Sequence, residues 1–137
     1  MIREASITAL KKLSAEERTS QGRRILVMRR WPRGLSWKDI DFWLPSAGPS
    51  PELLTAWQAG VITWEEFLTQ YRYEQQQQFA YIALSRKEDT TEKLVAKGRS
   101  IDYLRFVEQQ RGIVTISCWE QNDRCHRYML KELVEEV

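Results

Sequence analysis

The segment "ISCWEQNDRCHR", Ile116 to Arg127, gathers both cysteines and the only histidine of a 137-residue chain. Cys118, Glu120, Cys125, His126 and Arg127 are residue types that attack carbonyl or phosphoryl groups, move protons, bind metals or hold anions. A second concentration lies far upstream in "RRWPRG", where Arg29 and Arg33 flank Trp31 and Pro32. Arginine forks suit carboxylate and phosphate, and an indole beside them can wall a ligand pocket.

Four chemistries compete for the first segment. Cys118 and Arg124 have the Cys-x5-Arg spacing of a loop that sets a thiolate beside a guanidinium. Such loops cradle phosphate with backbone amides and lean on glycine. This one has no glycine and carries Glu120 and Asp123, which repel phosphate, so phosphatase chemistry is not expected. Cys118, Cys125 and His126 are also plausible metal ligands, with Glu120 as a fourth. Paired structural-zinc cysteines usually stand two to four residues apart, whereas these are separated by six, with the histidine adjacent to one. Neither a metal nor another cofactor is expected on that ground. Thiol chemistry is a third reading: a cysteine at a helix start has a lowered pKa, and Cys118 could resolve an oxidised Cys125. The fourth reading makes the segment one wall of an anion pocket, with Arg127 turned toward Arg29 and Arg33. Any acid–base or nucleophilic step would fall to Cys125, His126 or Glu120. Against this stands a packing role: Cys118 ends an apolar run and His126 falls on an apolar helical face.

The elements that must position these groups can be read from pattern. "ILVM", Ile25 to Met28, fits a buried strand stopped by Pro32 and Gly34. "IVTISC" is apolar on both alternations, as in a strand covered on both faces. Residues 5–13 suit either a strand or a short helix, and "SAEERTSQGRR" a loop or helical turn. Residues 36–50 read as irregular, with a helical turn near 36–41. Ser50 and Pro51 open a helix that Gly60 ends. Thr63 with Glu66 forms a capping box, and apolar spacing through Phe79 and Ile82 carries that helix to about residue 84. Its four glutamines, 75–78, read as a solvated face. The charged stretch 85–100 is expected as a connection with part of another helix. "IDYLRFVEQQRG" reads as a helix stopped by Gly112. The last helix starts near Cys125, with His126, Leu130, Leu133, Val134 and Val137 on its apolar face. In open α/β sheets ligands bind beyond the carboxyl ends of parallel strands. Parallel pairing of the two strands would therefore bring both concentrations to one edge, and antiparallel pairing would separate them.

Composition bounds the classes. The net charge of +2 hides a basic first quarter: residues 1–38 carry ten Lys or Arg against three acids, and residues 39–137 carry eleven against sixteen. That permits local anion binding but does not make a polycation. "RRWPRGLSW" interleaves arginine and tryptophan, the ingredients of single-stranded nucleic-acid binding, but Trp31, Trp37 and Trp43 are expected mainly in the core. No aliphatic run approaches the roughly 20 residues needed to cross a bilayer. "MIREAS" lacks the apolar stretch of a signal peptide, so a cytoplasmic address and two reduced thiols are expected.

Two stretches resemble the YeaO-like "domain of unknown function 488" family. Arg29, Trp31, Pro32, Arg33, Gly34, Asp41, Trp43, Pro49 and Ser50 match one block, and Cys118, Glu120, Cys125, His126 and Arg127 match the ending of one branch. Trp64, Phe67 and Tyr71 sit where the family has an aromatic helix. The resemblance covers residues 24–82 and 101–137, leaving 83–100 as an insertion. Met28 stands where the family usually has aspartate. What the resemblance implies is a compact α/β fold with unassigned biochemistry.

The combined expectation is one α/β domain over residues 1–137, with a short, mostly parallel sheet flanked by helices. Its ligand would be a small anion, a nucleotide or phosphorylated metabolite, held by Arg29, Trp31, Arg33, Arg127 and Cys118. A non-catalytic nucleic-acid or interaction surface and a thiol redox role for Cys118 and Cys125 are the rivals. Oligomeric state and the existence of a reaction stay open.

Overall fold

The computed structural model describes residues 1–119 and 124–136. A strand β1 (Ile2–Ser6) leads directly into a one-turn helix α1 (Ile7–Lys11), so the ambiguous opening segment contains both. Helix α2 (Ala15–Ser20) is closed by a capping box between Ser14 and Glu17. Strand β2 (Arg23–Leu26) and the two-residue β3 (Phe42–Trp43) follow, then a 3₁₀ turn at Pro45–Ala47. Helices α3 (Pro51–Gln58) and α4 (Trp64–Gln77) begin where expected, with Ser50 and Thr63 accepting from the backbone amides of Leu53 and Glu66. After them come β4 (Ala80–Lys87), β5 (Thr90–Lys97), α5 (Ser100–Arg111), β6 (Val114–Cys118) and α6 (His126–Glu135).

The six strands form one sheet in the order β1-β6-β2-β3-β4-β5. The pairings β1–β6, β6–β2 and β2–β3 are parallel, and β3–β4 and β4–β5 are antiparallel. The sheet is therefore mixed and mostly parallel, flanked by helices, in a small α/β domain. β6 is buried along its whole length, as its doubly apolar pattern requires. Its two hydroxyls stay satisfied inside, Thr115 donating to the Gln21 carbonyl and Ser117 to that of Ile25. Ile25 and Val27 join Leu53, Phe67, Tyr71, Leu104, Ile116 and Leu130 in the main core under α3 to α6. Leu26, pointing the other way, packs with Ile7, Leu35 and Ile40 beneath Trp31, Trp37 and Trp43.

Three expectations are corrected. Helix α4 stops at Gln77, because Gln78 turns to extended backbone (φ −64°, ψ 133°), so Phe79 is exposed and Ile82 lies on β4. The charged stretch after it is no helix: β4 and β5 form a hairpin paired from Ala80↔Lys97 to Lys87↔Thr90, with Glu88 in the left-handed region (φ 59°) at its turn. The glutamines are not simply a solvated face. Gln75 is buried and donates to the Ser46 carbonyl, and Gln78 bridges that carbonyl to Ser100. Residues 36–41 form a turn without becoming a helix, and Val137 lies outside the described residues. Among the described residues no helix is long and apolar enough to cross a membrane.

Burial sets a contrast that stability measurements can read. Ile116→Ala, at a site with no solvent exposure, is expected to cost about 3–4 kcal/mol in urea unfolding. Leu94→Ala, on the half-exposed outer strand, is expected to change stability by less than about 0.5 kcal/mol. Equal effects would contradict this arrangement.

Candidate functional site

β2 and β6 run side by side and parallel, with Arg23 to Leu26 opposite Val114 to Ser117. Both therefore deliver their carboxyl ends to the same edge, where residues 27–30 leave β2 and α6 begins after β6. A hydrogen bond fastens the two exits: His126 Nε2 lies 2.6 Å from the Val27 carbonyl oxygen. A carbonyl only accepts, so Nε2 carries the proton and Nδ1 keeps its lone pair. Nδ1 faces Cys125 Sγ at 3.9 Å. The ring is buried and meets Tyr71 edge-on, with centroids 5.3 Å apart. Burial is the largest influence on its pKa and lowers it to about 4; the Val27 bond opposes this, and the charges of Arg127 and Arg29 reinforce it.

Arg29 donates to the carbonyls of Gly48 and Pro49, at 2.8 and 3.2 Å. This backbone approach explains Gly48, whose missing Cβ would fall 2.5 Å from the Arg29 amide nitrogen. Both acceptors are neutral, and among the described residues no carboxylate lies within ion-pair distance of Arg29, Arg30 or Arg33. Asp41 pairs with Arg24 and Asp39 with Lys11, so neither neutralises this turn. A cavity of about 360 Å³ opens here, lined by Met28, Arg29, Arg30, Thr55, Gln58 and His126, with Pro49 and Pro51 at the start of α3.

The structure divides the remaining sequence candidates. Arg127 does not reach this cavity. It is 2% exposed, ion-paired to Glu4 at 2.6 Å, and donates to Cys118 Sγ at 3.0 Å and to the Tyr128 hydroxyl. Arg33 lies in a separate depression with Met28, Pro32 and Trp119. Trp31 is half-buried; its indole donates to the Leu35 carbonyl and its ring contacts Trp37 and Trp43, at 4.7 and 5.4 Å between centroids. Cys118 and Cys125 are joined by a disulfide, which corrects the expectation of two thiols. The topology accounts for it, since Cys118 ends β6 and Cys125 is the N-cap of α6 on the same edge. Glu120 lies outside the described residues. Arg30 was legible as part of the arginine cluster. Thr55 and Gln58 carried only the faint signal of sharing a helical face with Pro51.

A family model described as "DUF488-N3a: Active DUF488-N3 subclade" matches residues 8–137. The chain belongs to the DUF488-N3a family. This bears out the resemblance read in its Trp-Pro-Arg-Gly and Cys-His-Arg segments. No curated protein and no solved structure matches the chain. In this DUF488-N3a protein the cavity by His126, and the cysteine–histidine cluster behind it, are the chemistry-bearing parts of the carboxyl edge.

The histidine makes a pH prediction. Its folded pKa, about 4, lies below the ordinary 6.5, so the folded state binds fewer protons than the unfolded one. The neutral ring is fully tolerated above pH 6.5, and stability falls as pH drops toward 4. Between pH 7 and pH 4 the parent is expected to lose on the order of 2–3 kcal/mol more unfolding free energy than His126→Gln. Parallel pH dependence of the two proteins would exclude a buried neutral His126.

Proposed function

We propose that this DUF488-N3a protein binds a small anionic ligand, a nucleotide or phosphorylated metabolite, in the cavity between the exit of β2, helix α3 and His126. The observation that carries this reading is that, among the described residues, Arg29 and Arg30 on this concave wall have no ion-pair partner. Arg29 is held in place by two carbonyls that orient it without cancelling its charge. Its donors to those carbonyls leave part of the fork for a ligand, and Arg30 is exposed at the rim. Charge-assisted bonds to phosphate oxygens are about twice as strong as neutral ones. Thr55 and Gln58 add neutral donors and acceptors, and Met28 and Leu54 supply apolar wall for a base or carbon skeleton. Arg33, Trp31 and Arg127, included in the sequence expectation, have no place in this smaller site. A more open groove of about 1160 Å³ gathers seven basic residues, Arg23, Arg24 and Arg86 among them, but Asp41, Glu88, Asp89 and Glu92 share it and offset part of its field.

A second reading, a thiol redox role, is supported by the Cys118–Cys125 disulfide and by the Arg127 guanidinium against Cys118 Sγ. A neighbouring cation favours thiolate over thiol and so favours the reduced pair. The family description calls the subclade active and names no reaction.

Titration with inorganic phosphate and with AMP at low ionic strength, followed by calorimetry, tests the leading reading. Arg30→Ala is expected to weaken binding about 10-fold or more, the loss of one charge-assisted contact, while Arg33→Ala leaves it unchanged. Absence of binding to both probes, or equal binding by parent and Arg30→Ala, would overturn it.

A further inference from the structure

We propose that Cys118, Cys125 and His126, in the reduced chain, form a three-ligand site for a tetrahedral divalent metal, zinc(II) above others. Their donor atoms all lie within 4.8 Å of one another, and all three residues are buried. The His126 arrangement points most directly to a ligand. Its Nε2–H donates to the Val27 carbonyl, and its Nδ1 lone pair is turned toward the sulfurs, 3.9 Å from Cys125 Sγ. A histidine ligand characteristically donates its other ring N–H to a carbonyl or carboxylate, which fixes tautomer and ring orientation. With Cys125 in a disulfide, that sulfur has no proton to offer, so the lone pair is aimed at a group that gives it none.

Distance supports the same reading. Zinc about 2.3 Å from sulfur and about 2.0 Å from nitrogen separates adjacent ligand atoms by roughly 3.5–3.8 Å at tetrahedral angles. The 3.9 Å between Cys125 Sγ and His126 Nδ1 is close to that separation, and reduction frees the two sulfurs to part from their disulfide contact. Spacing argued against a metal because two ligands are adjacent at a helix start. The backbone removes that objection: Cys125 is extended (φ −133°, ψ 139°) while His126 is the first helical residue, so both side chains turn to one point. Arg127, donating to Cys118 Sγ, supports the thiolate from outside the ligand set, with Glu4 balancing its charge. A cavity of about 340 Å³ between Trp57, Trp64 and Arg124 reaches Cys125 and His126 and supplies an entry path. Three protein ligands leave one position for water or a substrate atom, the pattern of catalytic rather than closed zinc sites.

The dithiol forms by exchange with a dithiol reductant, which becomes a disulfide in turn. The two thiols then release their protons to solvent as the ion binds. The full chain, reduced with a phosphine and freed of metal, is titrated with cobalt(II) and then zinc(II). The expected result is one cobalt per chain, with strong visible bands of tetrahedral cobalt and near-ultraviolet thiolate charge transfer, displaced by zinc. Cys118→Ser and Cys125→Ser lose the charge-transfer band or reduce it to about half, and His126→Gln weakens cobalt binding at least 10-fold. Zinc also slows alkylation of both thiols in the parent. A reduced parent, folded by circular dichroism, that shows no tetrahedral cobalt bands overturns the proposal. So do bands unchanged in either cysteine variant. The readout contains no anionic ligand, so it is independent of the Arg30 test.

Discussion

The position of β6 between β1 and β2 is the constraint on which the rest depends. β1 and β2 do not pair with each other; β6 lies between them and is parallel to both, so β1 reaches the rest of the sheet only through it. Parallel neighbours share a carboxyl edge, so this one insertion brings residues 27–30, Cys118 and the start of α6 together. The His126–Val27 bond then converts proximity into fixed geometry by coupling the first turn of α6 to the exit of β2. The Gly48–Arg29 backbone approach adds the third side of the edge.

Charge is partitioned within that edge. Arg127 is buried, and Glu4 satisfies it from β1 across the sheet. An unpaired guanidinium at that depth would cost several kcal/mol, so this pair is a condition of α6 docking where it does. Arg29 is treated differently: its donors are engaged by neutral carbonyls, and among the described residues it has no ion-pair partner. Two arginines that look alike in sequence thus have different settings, one buried in an ion pair and one held at a cavity wall by carbonyls. Only about one Cα spacing separates Arg127 from His126, yet their side chains face β1 and β2 respectively.

What could be read from sequence was local. The Ser50 and Thr63 caps, the Gly112 stop and the doubly apolar β6 depend on residues within one turn of each other, and the structure keeps them. The end of α4 was not legible, because nothing at Gln78 breaks a helix by propensity. It is held extended by bonds to Ser46 and Ser100, distant in sequence. The hairpin turn at Glu88 lacks the Asn-Gly or Asp-Gly signature of tight turns, so its charge suggested a connection. At the site, the meeting of the two segments followed from strand pattern plus parallel pairing. The direction of each arginine did not, since Glu4 is separated from Arg127 by almost the whole chain.

The central place of β6 also dictates an order of assembly. Ile2 pairs with Val114, so β1 has no strand partner until the chain beyond α5 is available. During synthesis, β1 and the β6-facing edge of β2 must remain unjoined while more than three quarters of the protein is made, although β2 can pair with β3 early. The hairpin β4–β5, built from near neighbours, can form well before then. Closing such distant contacts late makes for slow folding and a nascent chain with exposed strand edges. The edge that would hold a ligand is, by the same topology, the last part of the molecule to exist.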